Sequence, residues 1–311
     1  MSEGDTGVLT RARAARLHYL RGMTKSEVAE RLGVSRFAVA RMLERARSEG
    51  LVRVEVREPV ALDDDRASAL EREFDLPQAV VVRDVEALAA AAAGWLLERL
   101  GPRDVLGVAW GATLEATVEA MPAAAAPRAR AVVQIAGQVA GVAPGAGAAE
   151  LTWRFAERLG CPAVPLPAPA FAGSAVERDA LVANPAVAPA VALFGRMDVA
   201  LVGVGSLAST GSSSLLRVGA LPAGAAADLR RLGAVADLVV HVLDARGRPL
   251  APDLAERAVG VSLQDLRRAR VIAVAGAPGK GAAVAAALRS GLIDVMVTDT
   301  PTADAALERR R

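Results

Sequence analysis

Apolar positions recur at helical spacing through TKSEVAERLGVSRFAVARMLERARSEGLV, residues 24–52. Val28, Ala29 and Leu32 share one face of a first helix; Val39, Met42, Leu43 and Ala46 share one face of a second. Thr24 and Glu27 have the spacing of a capping box, and Ser35 can cap the second helix, which Gly50 closes. Gly33 can take the left-handed conformation that ends a helix in a tight turn. The pattern predicts a helix-turn-helix unit. Next, VRVEVRE (52–58) alternates at the period of a strand with one wet face, and DDDRASALEREFDL (63–76) predicts a helix, acidic at its start and stopped by Pro77.

From residue 79 the period changes. Short apolar runs at 79–85, 105–109, 131–135, 199–204, 238–243, 271–275 and 295–298 read as buried strands. Helical stretches at 89–100, 113–120, 150–159, 226–232 and 280–290 lie between them. This alternation predicts an α/β domain with an open, mostly parallel sheet of the doubly wound kind, whose ligands sit at the carboxyl ends of strands. The expected division is a helix-turn-helix domain over 1–58, a linker helix over 59–78, and a ligand-binding and oligomerisation domain over 79–311.

Composition narrows the field. The chain of 311 residues is 53% hydrophobic but only 3% aromatic, so its core is built from Ala, Val and Leu, which suits a sheet covered on both faces. One cysteine, Cys161, excludes an internal disulfide framework and reads as a small core filler. His18 and His241 have no metal-ligand spacing, so neither a metal nor a cofactor is expected. The opening MSEGDTGVLT has no apolar run, and the longest uncharged interval, 131–149, carries two Gln, four Gly and Pro144. Neither is a signal peptide or a membrane helix, so a cytoplasmic protein is expected. Residues 1–60 hold 12 basic and 8 acidic residues, the remainder 25 and 27. The positive excess therefore sits in the helix-turn-helix segment, where phosphates of double-stranded DNA would be met.

The outer face of the second helix is cationic, whereas a plain helical hairpin needs neither that face nor a turn glycine. Ser35, Arg36, Phe37 and Arg41 are expected at base edges or sugars, Lys25 and Arg45 at phosphates. For Phe37 a place in a satellite core is an equal alternative.

Four stretches leave apparent strands with groups that could cradle an anion. GVAWGATL places Gly111 and Thr113 at a helix start, VQIAGQVAG offers Gln134, and VALVGVGSLAS supplies Gly203, Gly205 and Ser206. IAVAGAPGKGAAVAAAL sets Lys280 after a glycine-containing turn; it and Lys25 are the only lysines among 37 basic residues. Asp237, ahead of a strand, could hold a sugar hydroxyl or be a turn acid. The glycines from 203 formally match a dinucleotide fingerprint, but no helix starts at once and no acid ends a second strand about 20 residues on. Asp237, Asp244, Lys280 and Asp299 lie near strand ends without a histidine, so no catalytic set assembles and a binding site without turnover is expected.

Together these stretches, with DVLGVAWGATL, VVQIAGQ, ALVGVGS, LGAVADLV, LDARGRPL and SGLIDVMVTDTPTADAALE, resemble the SorC family of bacterial transcriptional regulators from about residue 12 to Glu308. The resemblance implies a ligand domain similar in fold to sugar-phosphate isomerases, without their catalysis. It also implies a phosphorylated sugar effector that changes operator affinity, and a homodimer or homotetramer. Gly111 and Thr113 match its phosphate loop; Gly203, Gly205 and Ser206 its second glycine loop; Asp237 and Lys280 its acid and its lysine. Ala236 stands where the family usually has Gly, and the turn before Lys280 is altered. The rival expectations are a sugar-phosphate isomerase or lyase fused to a DNA-binding head, and a constitutive DNA binder whose large domain only oligomerises.

Overall fold

A computed structural model of the chain describes residues 3–52, 60–124, 127–139, 147–207, 213, 215 and 224–309. It divides into two compact units, Met1–Pro59 and Val60–Arg311. The strand expected over 52–58 falls almost wholly outside the described residues.

The first unit is helical: α1 (Glu3–Ala15) with a π turn (Arg16–Leu20), α2 (Lys25–Leu32) and α3 (Arg36–Ser48). The capping box forms, with Thr24 N–H donating to Glu27 Oε2 at 2.7 Å and Glu27 N–H to Thr24 Oγ1 at 3.3 Å. Gly33 takes φ 66°, the left-handed turn between α2 and α3. Val28, Ala29, Val39, Leu43 and Ala46 close on Ala14, Ala15 and Leu17 to make one small core. The N-terminal helix is the addition to the sequence reading. Its inner stripe is mostly alanine, too weakly apolar to register as a period, and α3 gives it a wall to bury against.

The second unit is built on a parallel sheet in the order β1-β10-β9-β5-β2-β3-β4. These are β1 (Gln78–Val82), β2 (Val105–Val108), β3 (Ala131–Gln134), β4 (Ala163–Val164), β5 (Val199–Ser206), β9 (Arg270–Val274) and β10 (Val295–Asp299). The near-continuous apolar runs of β2, β5, β9 and β10 are buried on both faces, the signature of a sheet covered by helices. The helices are α5 (Leu88–Arg99), α6 (Ala112–Ala120), α7 (Ala148–Leu159), α8 (Ala175–Ala183), α9 (Ala188–Phe194), α10 (Ala225–Arg231), α11 (Pro252–Arg257), α12 (Leu263–Leu266), α13 (Gly281–Arg289) and α14 (Thr300–Leu307).

Two features differ from the sequence reading. The helix read as a linker, α4 (Asp64–Phe74), is fixed to the second unit. Leu70 is fully buried in the main core, Glu71 accepts from Ala79 N at 2.8 Å, and Asp63, its N-cap, accepts from Thr300 Oγ1 at 2.9 Å. The single strand expected over 238–243 is a hairpin. β6 (Ala234–Leu238) turns at Val239, φ 59°, into β7 (His241–Asp244), which pairs with β8 (Pro249–Leu250). β6 runs antiparallel to the far end of β5, pairing Val204, Gly205 and Ser206 with Leu238, Asp237 and Ala236. The apolar run conceals this turn because Val239 and Val240 occupy it and are themselves buried.

Candidate functional site

At the carboxyl ends of the central strands β2, β5 and β9 lies a cavity of about 270 Å³. Three segments frame it: the β2–α6 turn, the β9–α13 turn, and the face where β6 crosses β5. Gly111, at φ 131° and ψ 156°, sets the chain into α6 in a conformation that a side chain rarely adopts. The N–H groups of a helix's first turn have no intrahelical acceptor and favour an anion. Thr113, in that turn, lines the cavity.

On the opposite turn Lys280 is the N-cap of α13, and its Nζ donates to the Val204 carbonyl at 2.5 Å. The turn is held from below. Ala277 takes φ 104°, a strained angle for alanine, and its N–H donates to Asp299 Oδ2 at 2.8 Å while Thr302 N–H donates to Oδ1 at 2.7 Å. Asp299 is therefore spent anchoring the turn and capping α14. Asp244 is likewise occupied, accepting from the N–H groups of Arg246 and Arg248 and pairing with the Arg248 side chain.

The remaining polar wall is Asp237. It faces Gly205 across the antiparallel pair, and a Cβ on Gly205 would come within 2.0 Å of its Oδ1. Gly205 was expected to cradle an anion in a loop; it lies inside a strand, and the space it leaves is filled by this carboxylate. Burial pushes the Asp237 carboxyl up to about 6, although the Ser213 hydroxyl and the Lys280 ammonium both pull it down. Asp237 Oδ1 and Ser213 Oγ are buried without a hydrogen-bond partner.

Six of the eight residues expected to hold a ligand thus line one cavity: Gly111, Thr113, Gly203, Gly205, Asp237 and Lys280. Gln134 and Ser206 do not. Gln134 is wholly buried, donating to Ala136 O at 2.7 Å and accepting from Leu166 N at 2.9 Å, so it ties two strand exits together. Ser206, also buried, lies 3.5 Å from the Gly279 carbonyl of the lysine turn. Sequence reasoning missed Trp110, Val239 and Ala277 on the cavity wall. Trp110, one of three tryptophans and sited between a strand and Gly111, was the one with a readable signal.

In the first unit Lys25, Ser35, Arg36, Phe37, Arg41 and Arg45 are all exposed. Ser35 Oγ accepts from Ala38 N at 3.1 Å, which leaves its O–H free to donate outward. Phe37 is 81% exposed, so the satellite-core alternative falls. Arg41 and Arg45 border a groove shared with Thr10 and Arg11 of α1, where Arg11 also pairs with Glu49 at 2.9 Å. Elsewhere Cys161 is half-buried, and burial pushes its thiol up, as befits an unreactive filler. Among the described residues no helix is long and apolar enough to cross a membrane.

Comparison with known proteins divides the chain in the same way. A sugar-binding domain family matches residues 58–308, and a homeodomain-like domain matches residues 5–54. The erythritol catabolism regulatory protein EryD of Brucella abortus is 30% identical over 98% of this chain and 98% of its own length. The transcriptional regulator LsrR of Escherichia coli K12 is 29% identical over 95% of this chain and 93% of its own. The full-length sorbitol operon regulator SorC of Klebsiella pneumoniae superposes with a TM-score of 0.73, at 24% identity, over 96% of this chain and 99% of its own.

Proposed function

Since this chain belongs to the SorC family of sugar-binding-domain transcriptional regulators, we propose that a small phosphorylated sugar or polyol binds the cavity at the ends of β2, β5 and β9 and sets the affinity of the helix-turn-helix unit for its operator. The protein is a DNA-binding regulator and not an enzyme. The single observation that carries the ligand reading is the polarity of the cavity: a helix start, Thr113 and Lys280 lie on it together with one buried carboxylate, Asp237.

An anionic phosphate takes the first turn of α6 and the Thr113 hydroxyl, and draws the Lys280 ammonium from the Val204 carbonyl. Asp237, with Oδ1 unpartnered, accepts from a ligand hydroxyl. A cavity of about 270 Å³ suits a short sugar or polyol phosphate better than a nucleotide. Operators are contacted by the α3 face, with Arg36, Phe37 and Arg41 at base edges or sugars and Lys25 and Arg45 at phosphates. The regulator acts in the cytoplasm as a homodimer or homotetramer, since one modestly basic head binds weakly alone.

The test is a melting-temperature screen with sugar and polyol phosphates, their unphosphorylated counterparts and inorganic phosphate. A ligand at about 100 times its Kd adds about 2.7 kcal/mol, or about 5–10 °C in a domain of this size. The shift should vanish in Lys280→Met and Thr113→Val, and the active compound should change operator affinity. No shift with any phosphorylated compound, or an undiminished shift in both variants, overturns the assignment. A shift without any change in operator affinity would leave a sensor uncoupled from DNA.

A further inference from the structure

Phe37 is the most exposed large apolar side chain among the described residues, at 81%. It is the second residue of α3, directly after Arg36 and two beyond the capping Ser35. Arg41 and Arg45 follow at intervals of four, so the ring and two guanidinium groups lie on one line along the helix. The core of the first unit is complete without the ring. Nothing in the local fold asks for phenylalanine at this place: the turn is closed by Gly33, and the cap is supplied by Ser35.

A ring left in water next to cations fits a partner that offers an apolar group within a negative field. The major groove of B-DNA is such a partner. Its phosphates and guanine edges accept arginine, and among its base edges the thymine 5-methyl is the apolar group displayed. The start of a recognition helix is also the part that reaches base edges.

We propose that Phe37 is a specificity-determining residue that reads a thymine through its 5-methyl group. The assignment rests on the reading of α3 as the groove-facing helix and names the base that one of its residues selects. Arg36 and Arg41, on either side of the ring in sequence, fix the depth and register at which it meets that methyl.

The experiment begins with selection of random duplexes by the full-length protein, which yields a preferred site. Each dT of that site is then replaced in turn by dU, which removes only the methyl, and affinity is measured by fluorescence anisotropy for wild type, Phe37→Ala and Phe37→Leu. At one dT in each half-site, dU should weaken wild-type binding about four-fold, the effect of one buried methyl. In Phe37→Ala the same replacement should change affinity by less than about 1.5-fold, and Phe37→Leu should be intermediate. The ring is exposed, so unchanged melting temperatures are expected and confirm that the variants are folded. Wild type indifferent to every dU, or dU losses equal in wild type and Phe37→Ala, overturns the thymine assignment while sequence-selective binding stands. A wild type that selects no site overturns the groove-facing reading itself.

Discussion

Asp237→Asn removes a charge that the fold holds at a cost, and the effect can be worked from its surroundings. The carboxyl is buried, its Oδ1 has no partner, and burial raises it from an ordinary 3.8 to about 6. A carboxyl raised on folding binds more protons in the folded state, so its ionisation penalises folding as pH climbs from the unfolded value through the folded one. The penalty is nearly absent well below pH 4 and fully developed above pH 6. A shift of roughly 2 units corresponds to about 3 kcal/mol at pH 7.5, falling to about half a kcal/mol at pH 4. Asparagine keeps the shape and cannot ionise. The variant should therefore melt about 6–12 °C above wild type at pH 7.5, with the gap nearly closed at pH 4. Comparing the two proteins at each pH cancels the contributions of Asp63 and Asp244, whose carboxyls are depressed. The same variant should show a smaller ligand-induced shift, because a neutral amide oxygen accepts from a ligand hydroxyl less strongly than a carboxylate does. A variant equal to or less stable than wild type at pH 7.5, or a gap that does not narrow on acidification, refutes the account of a strained buried charge kept for binding.

Gly205→Ala should destabilise the second unit by about 2 kcal/mol or more in chemical denaturation, since its Cβ would lie 2.0 Å from Asp237 Oδ1. Most of that loss should disappear in an Asp237→Ala background, where the obstruction is gone; additive losses would contradict the contact. Gly33→Ala meets no atom within 4 Å, so its cost is purely that of φ 66°, about 1–2 kcal/mol, read from amide exchange of the helical unit. Arg45→Ala should weaken binding to all duplexes alike and lower the slope of log affinity against log salt by about 0.9, one phosphate contact; an unchanged slope removes Arg45 from the backbone.

The helical unit was legible in the sequence because its signals are local. A cap, its partner three residues on, a left-handed glycine and two apolar stripes each depend on neighbours within a turn or two, and Thr24, Glu27, Gly33 and Ser35 all do what their spacing requires. The parallel strands were legible for a related reason: burial on both faces leaves an unbroken apolar run that needs no knowledge of its partners. Gly111, Thr113 and Lys280 could be nominated because strand ends and helix starts are themselves local marks.

Partnership across the chain was decided only in three dimensions. Nothing near Gln134 in sequence announces that its amide will be claimed by Ala136 and Leu166, and nothing near residue 63 says that its helix will be tied to Thr300. Gly205 and Asp237 each looked like a ligand residue on its own. Only the antiparallel crossing of β5 and β6 makes one the space that the other fills. Backbone geometry and apolar period are written residue by residue, whereas the charge and pairing of a buried group depend on which distant atoms the finished sheet brings within reach.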